Sequence, residues 1–247
     1  MLNILSKLSV PVALLSLFTP AIVSAPLATP DLSAAAFSTP LRILPLGDSI
    51  TFGYIKGGGS NGYREELRKK LVAAGASVDF VGTLTSGNMA DNQNEGHSGW
   101  TISQVRNVLG PALNFKPNVV LLHLATNDLN GAETAAEPFS KAPERLGNLI
   151  DDVLAKLPNA VVFVAKIIPT TNSWSKDRFQ TYNAALPAVV KARADKGFSV
   201  VLVDQSVIPT SELSDSLHPS AAGYSHMGDI WADAVVVNQA LIKPVPS

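Results

Sequence analysis

The sequence predicts an α/β protein, a three-layer α/β/α sandwich around a five-stranded parallel sheet. Three observations predict it. Five apolar, β-branched runs alternate with helical patterns from position 41 onward, as strands joined by crossover helices do. Two of the runs, Val119–Leu124 and Ala160–Ile168, are apolar but for His123 and Lys166 and show no alternation, as expected of strands covered on both faces. Each run is also followed by residues able to carry chemistry. Ser49 follows the first, Gly99 lies after the second and Asn127 after the third. Trp174 follows the fourth, and Asp215 and His218 follow the fifth. In an open parallel sheet ligands bind beyond the C-terminal strand ends, and all six residues fall on that one edge.

Taken in order, Arg42–Leu46 is the first strand. Tyr63–Ala74 is a helix with Gly75 placed to end it. Val78–Gly82 is a short strand, and Thr83–Trp100 reads as a long loop rich in Gly, Asn and Ser. Ile102–Leu109 is helical, with Pro111 expected to kink or end it. The Val119–Leu124 strand, a Pro143–Leu157 helix and the Ala160–Ile168 strand follow, the last stopped by Pro169. Asp177–Lys196 is a helix that Pro187 should bend, Ser199–Val203 is the final strand, and Ala221–Leu241 is a closing helix. Lys56-Gly57-Gly58-Gly59 lacks the spacing of a phosphate loop and reads as a mobile loop at the mouth of a site.

The first 25 residues read as a secretory signal peptide: Lys7, an apolar stretch from Leu8 to Phe18, and a small-residue cleavage site at Val23-Ser24-Ala25. The apolar stretch is too short to span a bilayer. Residues 26–40, rich in Ala, Ser, Thr and Pro, read as a flexible lead-in. Residues 41–247 make one domain with a sizeable core. A secreted, extracellular protein is therefore expected, free of the membrane once the leader is removed. A net charge of −1 gives no footprint for nucleic acid or an anionic membrane. The absence of cysteine excludes a thiol nucleophile and any thiolate metal site.

The chemistry is concentrated in two short stretches. Leu44-Pro45-Leu46-Gly47-Asp48-Ser49 puts a serine just past a strand, and Asp215-Ser216-Leu217-His218 puts a carboxylate and an imidazole three residues apart. A hydroxyl becomes a useful nucleophile when an imidazole takes its proton, and a carboxylate fixes that imidazole's tautomer. On a helical turn a spacing of three would place Asp215 and His218 on one side.

Gly47-Asp48-Ser49-Ile50 resembles the GDSL block of the SGNH hydrolases. Gly99 sits where that family has its second-block glycine, Ala125-Thr126-Asn127-Asp128 resembles the Gly-x-Asn-Asp block, and Asp215-Ser216-Leu217-His218 matches the Asp-x-x-His block. The resemblance runs from Leu41 to about Leu241, with the motifs in family order. The stretch Asp91 to Ile102 is similar to the family three carbohydrate esterases, the acetyl xylan esterases. The resemblance implies a flavodoxin-like SGNH fold and an acyl-enzyme mechanism. Ser49 would be the nucleophile, His218 the base and Asp215 its orienter. Ser49 N–H, Gly99 N–H and the Asn127 amide would form the oxyanion hole. It implies deacetylation of xylan or a related polysaccharide. One departure stands out: Ala125 occupies the position where the family usually has Gly.

Other features have plainer explanations beside these. Asp48 and Ser49 can simply cap a helix. Gly96-His97-Ser98-Gly99 looks like a nucleophile elbow but lacks the closing glycine and a preceding strand. His97 could bind sugar or pin its loop through a carboxylate such as Asp91 or Glu95, and the second is the expectation. His123 is expected to be a bonded core histidine, His226 to be structural and Asp128 to brace a loop. Trp100 and Trp174 are candidate sugar-stacking residues, Trp174 the better placed because it lies in a polar loop. The histidines share no metal-ligand spacing, so neither a catalytic metal nor a cofactor is expected. A monomer acting on an acetylated polysaccharide or a small ester is the expectation. The alternatives are a broader short-chain esterase or lipase, and a non-catalytic carbohydrate-binding protein.

Overall fold

The computed structural model describes residues 37–245. The expected signal peptide, and the lead-in as far as residue 36, lie outside the described residues.

β1, Leu41–Gly47, is buried at every position but Arg42. It leads into α1, Ser49–Phe52, one turn capped by the Asp48 carboxylate, which accepts from Ile50 N. Gly53, at φ +92°, ends that turn in the left-handed region where glycine is favoured. β2 (Tyr54–Ile55) and β3 (Gly58–Gly59) form a small hairpin where the sequence reads as a loop. α2 (Arg64–Ala73) and β4 (Val78–Phe80) follow as expected. β5 (Leu84–Thr85) and β6 (Gln93–Gly96) interrupt the predicted long loop. α3, Ile102–Leu113, runs through Pro111, because Leu109, Ala112 and Leu113 all bury on the core and outweigh one lost backbone bond. β7 is Val119–His123, fully buried, and α4 is the short Thr126–Asn130. α5 (Ala142–Lys156), β8 (Val161–Lys166), α6 (Lys176–Ala194), β9 (Val200–Asp204) and α7 (Ala221–Val237) complete the described order. Pro187 lies within α6 without ending it.

Five strands pair in parallel in the order β4-β1-β7-β8-β9. This is the strand order of a flavodoxin-like sheet, with the topological switch between β1 and β7. Both sheet faces are covered. Leu44, Leu46, Val120, Leu122, Val162 and Val164 point to one cluster with α3, α5 and α6, while Ile43, Val119, Leu121, Val161 and Phe163 point to the other with α2 and α7. Period-two alternation therefore exists in space, but both sets are apolar, so the sequence shows a continuous run.

The predicted count of five strands needs correction. β6 pairs in parallel with the C-terminal end of β1, through Leu46↔Glu95 and Gly47↔Gly96, in line with β4 along the same side. β5 pairs antiparallel with β6, giving seven strands. Gln93-Asn94-Glu95-Gly96 carries no hydrophobic pattern, so nothing marked it as a strand. Its buried polar groups are satisfied by specific partners instead: Asn94 reaches Ser86 Oγ and Gly96 N, and Glu95 accepts from Thr83.

Candidate active site

α1 begins directly at the C-terminal end of β1, which puts Ser49 at the switch point with its residue only 5% exposed. Ser49 Oγ lies 2.9 Å from His218 Nε2. His218 Nδ1 lies 2.9 Å from Asp215 Oδ2, so the three side chains form one unbroken chain of hydrogen bonds. Burial raises the Asp215 carboxyl, but hydrogen bonds from Leu217 N, His218 N and the imidazole outweigh it and hold it below the usual range. An ionised carboxylate can only accept, so Nδ1 carries the proton and Nε2 keeps a lone pair for the serine hydroxyl.

The Asp215–His218 spacing works through a different local structure from the helical turn expected. Asp215 Oδ1 accepts from Leu217 N at 2.8 Å and His218 N at 2.7 Å, an Asx-type turn. Ser214 N donates to His218 O, and Leu213 bridges Pro219, closing the turn at its base. Neighbours fix it from outside. Thr170 Oγ1 and Thr171 N both donate to Ser216 O. The Tyr54 ring sits 4.4 Å from the imidazole, tilted by 55°. The residues of the predicted glycine-rich mouth touch the same turn, with Lys56 N reaching Ser214 Oγ. Tyr54, Thr170 and Thr171 escape a motif search because each acts through packing or one bond. The only sequence hint was their position just past a strand or helix end.

Ser49 and Gly99 both follow the C-terminal ends of parallel strands, β1 and β6, and so lie at the same edge of the sheet. Ser49 stands at the first position of α1, where a helix has no internal partner to offer. Gly99 has φ +81°, and a Cβ built there would meet nothing within 4 Å. Within the protein the requirement for glycine is thus the left-handed backbone, and crowding plays no part. Asn127 Nδ2 donates to Trp100 O at 2.8 Å, which ties the third block to the second. A primary amide carries two N–H groups, so one fixes its orientation and the other stays available.

A series of side chains holds the Gly99 segment. Glu95, 1% exposed, accepts from Thr83 N and bonds His97 Nε2 at 2.7 Å. Burial pushes the Glu95 carboxyl up, but His97 and Thr83 more than offset it, leaving it lowered. The His97 ring stacks on Trp100 at 4.3 Å and 20°. His97 therefore pins its loop through Glu95, one of the two expected partners. Trp100 has one face taken by His97 and packs against the core, whereas Trp174 is 60% exposed on the loop between β8 and α6. That loop is stitched to α4 by Asn172 and Ser175, which both donate to Asn130 Oδ1. Ser98 is exposed and no imidazole reaches its hydroxyl among the described residues.

Arg64 was invisible as a support because its helix looks polar. It is fully buried, and its guanidinium donates to Phe52 O at the end of α1, to Ser86 O and Oγ, and to Asn92 O. One side chain thereby clasps the Ser49 turn to the loop that leads to Gly99. Asp128 is the expected brace: it accepts from Ile102 N at the start of α3 and pairs with Arg145 at 3.0 Å. Burial raises its carboxyl more than those partners lower it. His123 Nε2 accepts from Ile168 N, and burial lowers that imidazole to about 4, so it stays neutral. His226 bonds Glu212, joining α7 to the segment before the Asp215 turn.

Asp48 is the helix cap, and it is completely buried. Burial raises its carboxyl from 3.8 to about 6, against the hydrogen bond from Ile50 N and the attraction of His218. A carboxyl raised on folding binds extra proton in the folded state between those two values. Its contribution to stability is full below about 4 and is lost as pH rises to about 6. The cost above that window is on the order of 3 kcal/mol. Asp48→Asn keeps an acceptor for Ile50 N and removes the charge. The variant's stability relative to wild type should therefore grow between pH 4 and pH 6 and stay level above. Paired urea melts across that range measure it, and a flat difference would refute the perturbed carboxyl.

The model of the GDSL-like Lipase/Acylhydrolase family matches residues 46–226. A multidomain esterase of Ruminococcus flavefaciens is 29% identical over 236 residues, 83% of this chain, which spans 29% of that relative's length. A solved family 3 carbohydrate esterase of Clostridium thermocellum is 36% identical with a TM-score of 0.71, over 83% of this chain and all of that one. A family 3 carbohydrate esterase of Talaromyces cellulolyticus is 26% identical with a TM-score of 0.70, over 82% of this chain and all of that one. The matched region contains Ser49, Asn127, Asp215 and His218, and the chain, similar over most of its length to family 3 carbohydrate esterases, belongs to the GDSL-like lipase/acylhydrolase family.

Proposed function

We propose that the chain is a secreted serine esterase that removes O-acetyl groups from xylan or a similar polysaccharide, as a monomer and without a cofactor. The observation that carries this reading is the hydrogen-bonded chain from Asp215 through His218 to Ser49 at the switch point of the sheet. Ser49 Oγ attacks the acetyl carbonyl while His218 Nε2 takes its proton. The oxyanion is met by Ser49 N–H, Gly99 N–H and the free N–H of the Asn127 amide. His218 returns the proton to the departing sugar hydroxyl, leaving acetyl on Ser49. Water, deprotonated by the same imidazole, then releases acetate.

The carbohydrate substrate is supported by the likeness to family 3 carbohydrate esterases and by the open Trp174 ring, whose indole N–H is held by Asn130 O. Secretion rests on the leader in the sequence, and no nucleic-acid or membrane partner follows from a charge of −1. The test is acyl length. In a pocket already filled by acetyl, added methylenes cost about 1–3 kcal/mol each. Rates on p-nitrophenyl esters should fall steeply from acetate to butyrate, with octanoate almost inert and acetylated xylan deacetylated. Trp174→Ala should slow polysaccharide turnover more than turnover of p-nitrophenyl acetate, since only the former needs a sugar face. Octanoate cleaved as fast as acetate would replace this reading with a lipase.

A further inference from the structure

A groove of about 580 Å³ lies between α6 and the segment that follows β9, on the same edge of the sheet as Ser49. We propose that it is a saccharide subsite, holding the sugar units next to the acetylated one while Ser49 acts on the ester. The inference rests on the polysaccharide reading above and adds to it a second binding surface.

Its position comes first. The strap Pro169 to Thr171 forms one wall of the groove. The same strap holds Ser216 O of the Asp215–His218 turn through Thr170 Oγ1 at 2.8 Å and Thr171 N at 3.1 Å. The groove is thus one hydrogen bond away from the turn that carries the imidazole, on the far side of the strap. Trp174 stands on the same loop, 60% exposed, between the strap and the start of α6. A chain resting on Trp174 would continue into this space.

Its chemistry comes second. A sugar ring needs donors and acceptors around its edge and apolar surface under its C–H face. The side chains of Thr171, Lys176, Gln180 and Thr210 line the groove, and none makes a hydrogen bond or ion pair among the described residues. Phe179 and Pro187 supply apolar surface beside them. The neighbouring polar groups are already committed. Asn183 exchanges two bonds with the Ile167 backbone, and Lys166 pairs with Asp204 at 2.6 Å. The free groups are therefore the ones open to a ligand. Size points the same way, since the volume lies in the range of small-molecule sites and far exceeds an acetyl group. The space belongs to the alcohol part of the ester.

Two variants on exposed positions of α6 test this with the full chain. Lys176→Ala combined with Gln180→Ala removes two free polar groups, and Ala184→Trp fills the groove. Each is measured on acetylated xylotetraose and on p-nitrophenyl acetate. The double variant should raise KM on the oligosaccharide about tenfold. The tryptophan variant should raise it at least as much. KM for p-nitrophenyl acetate should change less than about twofold, since that ester does not reach the groove. An unchanged oligosaccharide KM in both variants, with wild type active on it, overturns the subsite and leaves the polysaccharide reading standing. Equal losses on both substrates also overturn it, because the effect then passes through the catalytic turn. Wild type active on p-nitrophenyl acetate but inert on acetylated xylotetraose overturns the polysaccharide reading and the subsite with it.

Discussion

Ser49→Ala is expected to lower kcat by about 10³-fold or more, with KM for p-nitrophenyl acetate nearly unchanged. The alanine keeps the backbone N–H and the rest of the oxyanion hole but removes the atom that forms the acyl-enzyme. Donors alone leave a small residual rate over water. The fold should hold, because among the described residues Ser49 Oγ bonds only His218 Nε2, and the cap on α1 comes from Asp48. A serine-directed organophosphonate should add once, at Ser49, and labelling should fail in the variant. The competing site is Ser98, in a stretch that superficially resembles a nucleophile elbow. It sits exposed, and the adjacent imidazole is bonded to Glu95 instead. Labelling at Ser98, with the Ser49 variant still active, would sink the mechanism.

Asn127→Ala should lower kcat by roughly 10²-fold while KM stays close to wild type. The amide meets full charge only in the transition state, so its loss falls on kcat. Its second N–H donates to Trp100 O, so the variant also loosens one tie between the two oxyanion blocks. Ala125→Gly alters the same turn while keeping the amide. Ala125 holds φ +117°, in the left-handed region that costs a side-chain-bearing residue about 1–2 kcal/mol. Glycine relieves that cost and leaves the Asn127–Trp100 bond in place, so the variant should melt higher with kcat within about twofold of wild type. A normal kcat with raised KM in Asn127→Ala would make the amide a ground-state binder.

The departure at Ala125 illustrates what sequence and structure each contribute. The resemblance marks the position, because the Gly-x-Asn-Asp block that Ala125-Thr126-Asn127-Asp128 resembles begins with Gly. Only the backbone angle gives the reason: the turn from β7 into α4 needs a positive φ, and this chain meets the need with a residue that resists it. The same holds for Gly99, where the motif marks the residue and φ +81° accounts for it.

Much of the fold was legible because its parallel strands are buried on both faces. Val119–His123 and Val161–Lys166 cannot be written without a continuous apolar run, and such runs separated by helical patterns leave few topologies. The side chains of the candidate site were legible for a related reason. Nucleophile, base and orienter need particular chemical groups, and a parallel sheet delivers them from the ends of two different strands to a single edge. The sequence by itself therefore determined the layer architecture, the edge that carries the chemistry, and the identities of Ser49, Asp215, His218, Gly99 and Asn127 as its candidates. The tertiary structure decided what holds those residues in place. β6 is a strand made of polar residues, the Asp215 turn is closed by backbone bonds to its own carboxylate, and Arg64 disappears from the surface to clasp Phe52 and Ser86. None of these leaves a periodic trace, because each depends on specific partners, adjacent in sequence for the Asp215 turn and far along the chain for β6 and Arg64, rather than on a repeating face. Hydrophobic burial is written along the chain as a pattern, whereas hydrogen-bond satisfaction is settled pair by pair, once the chain has folded and brought the partners together.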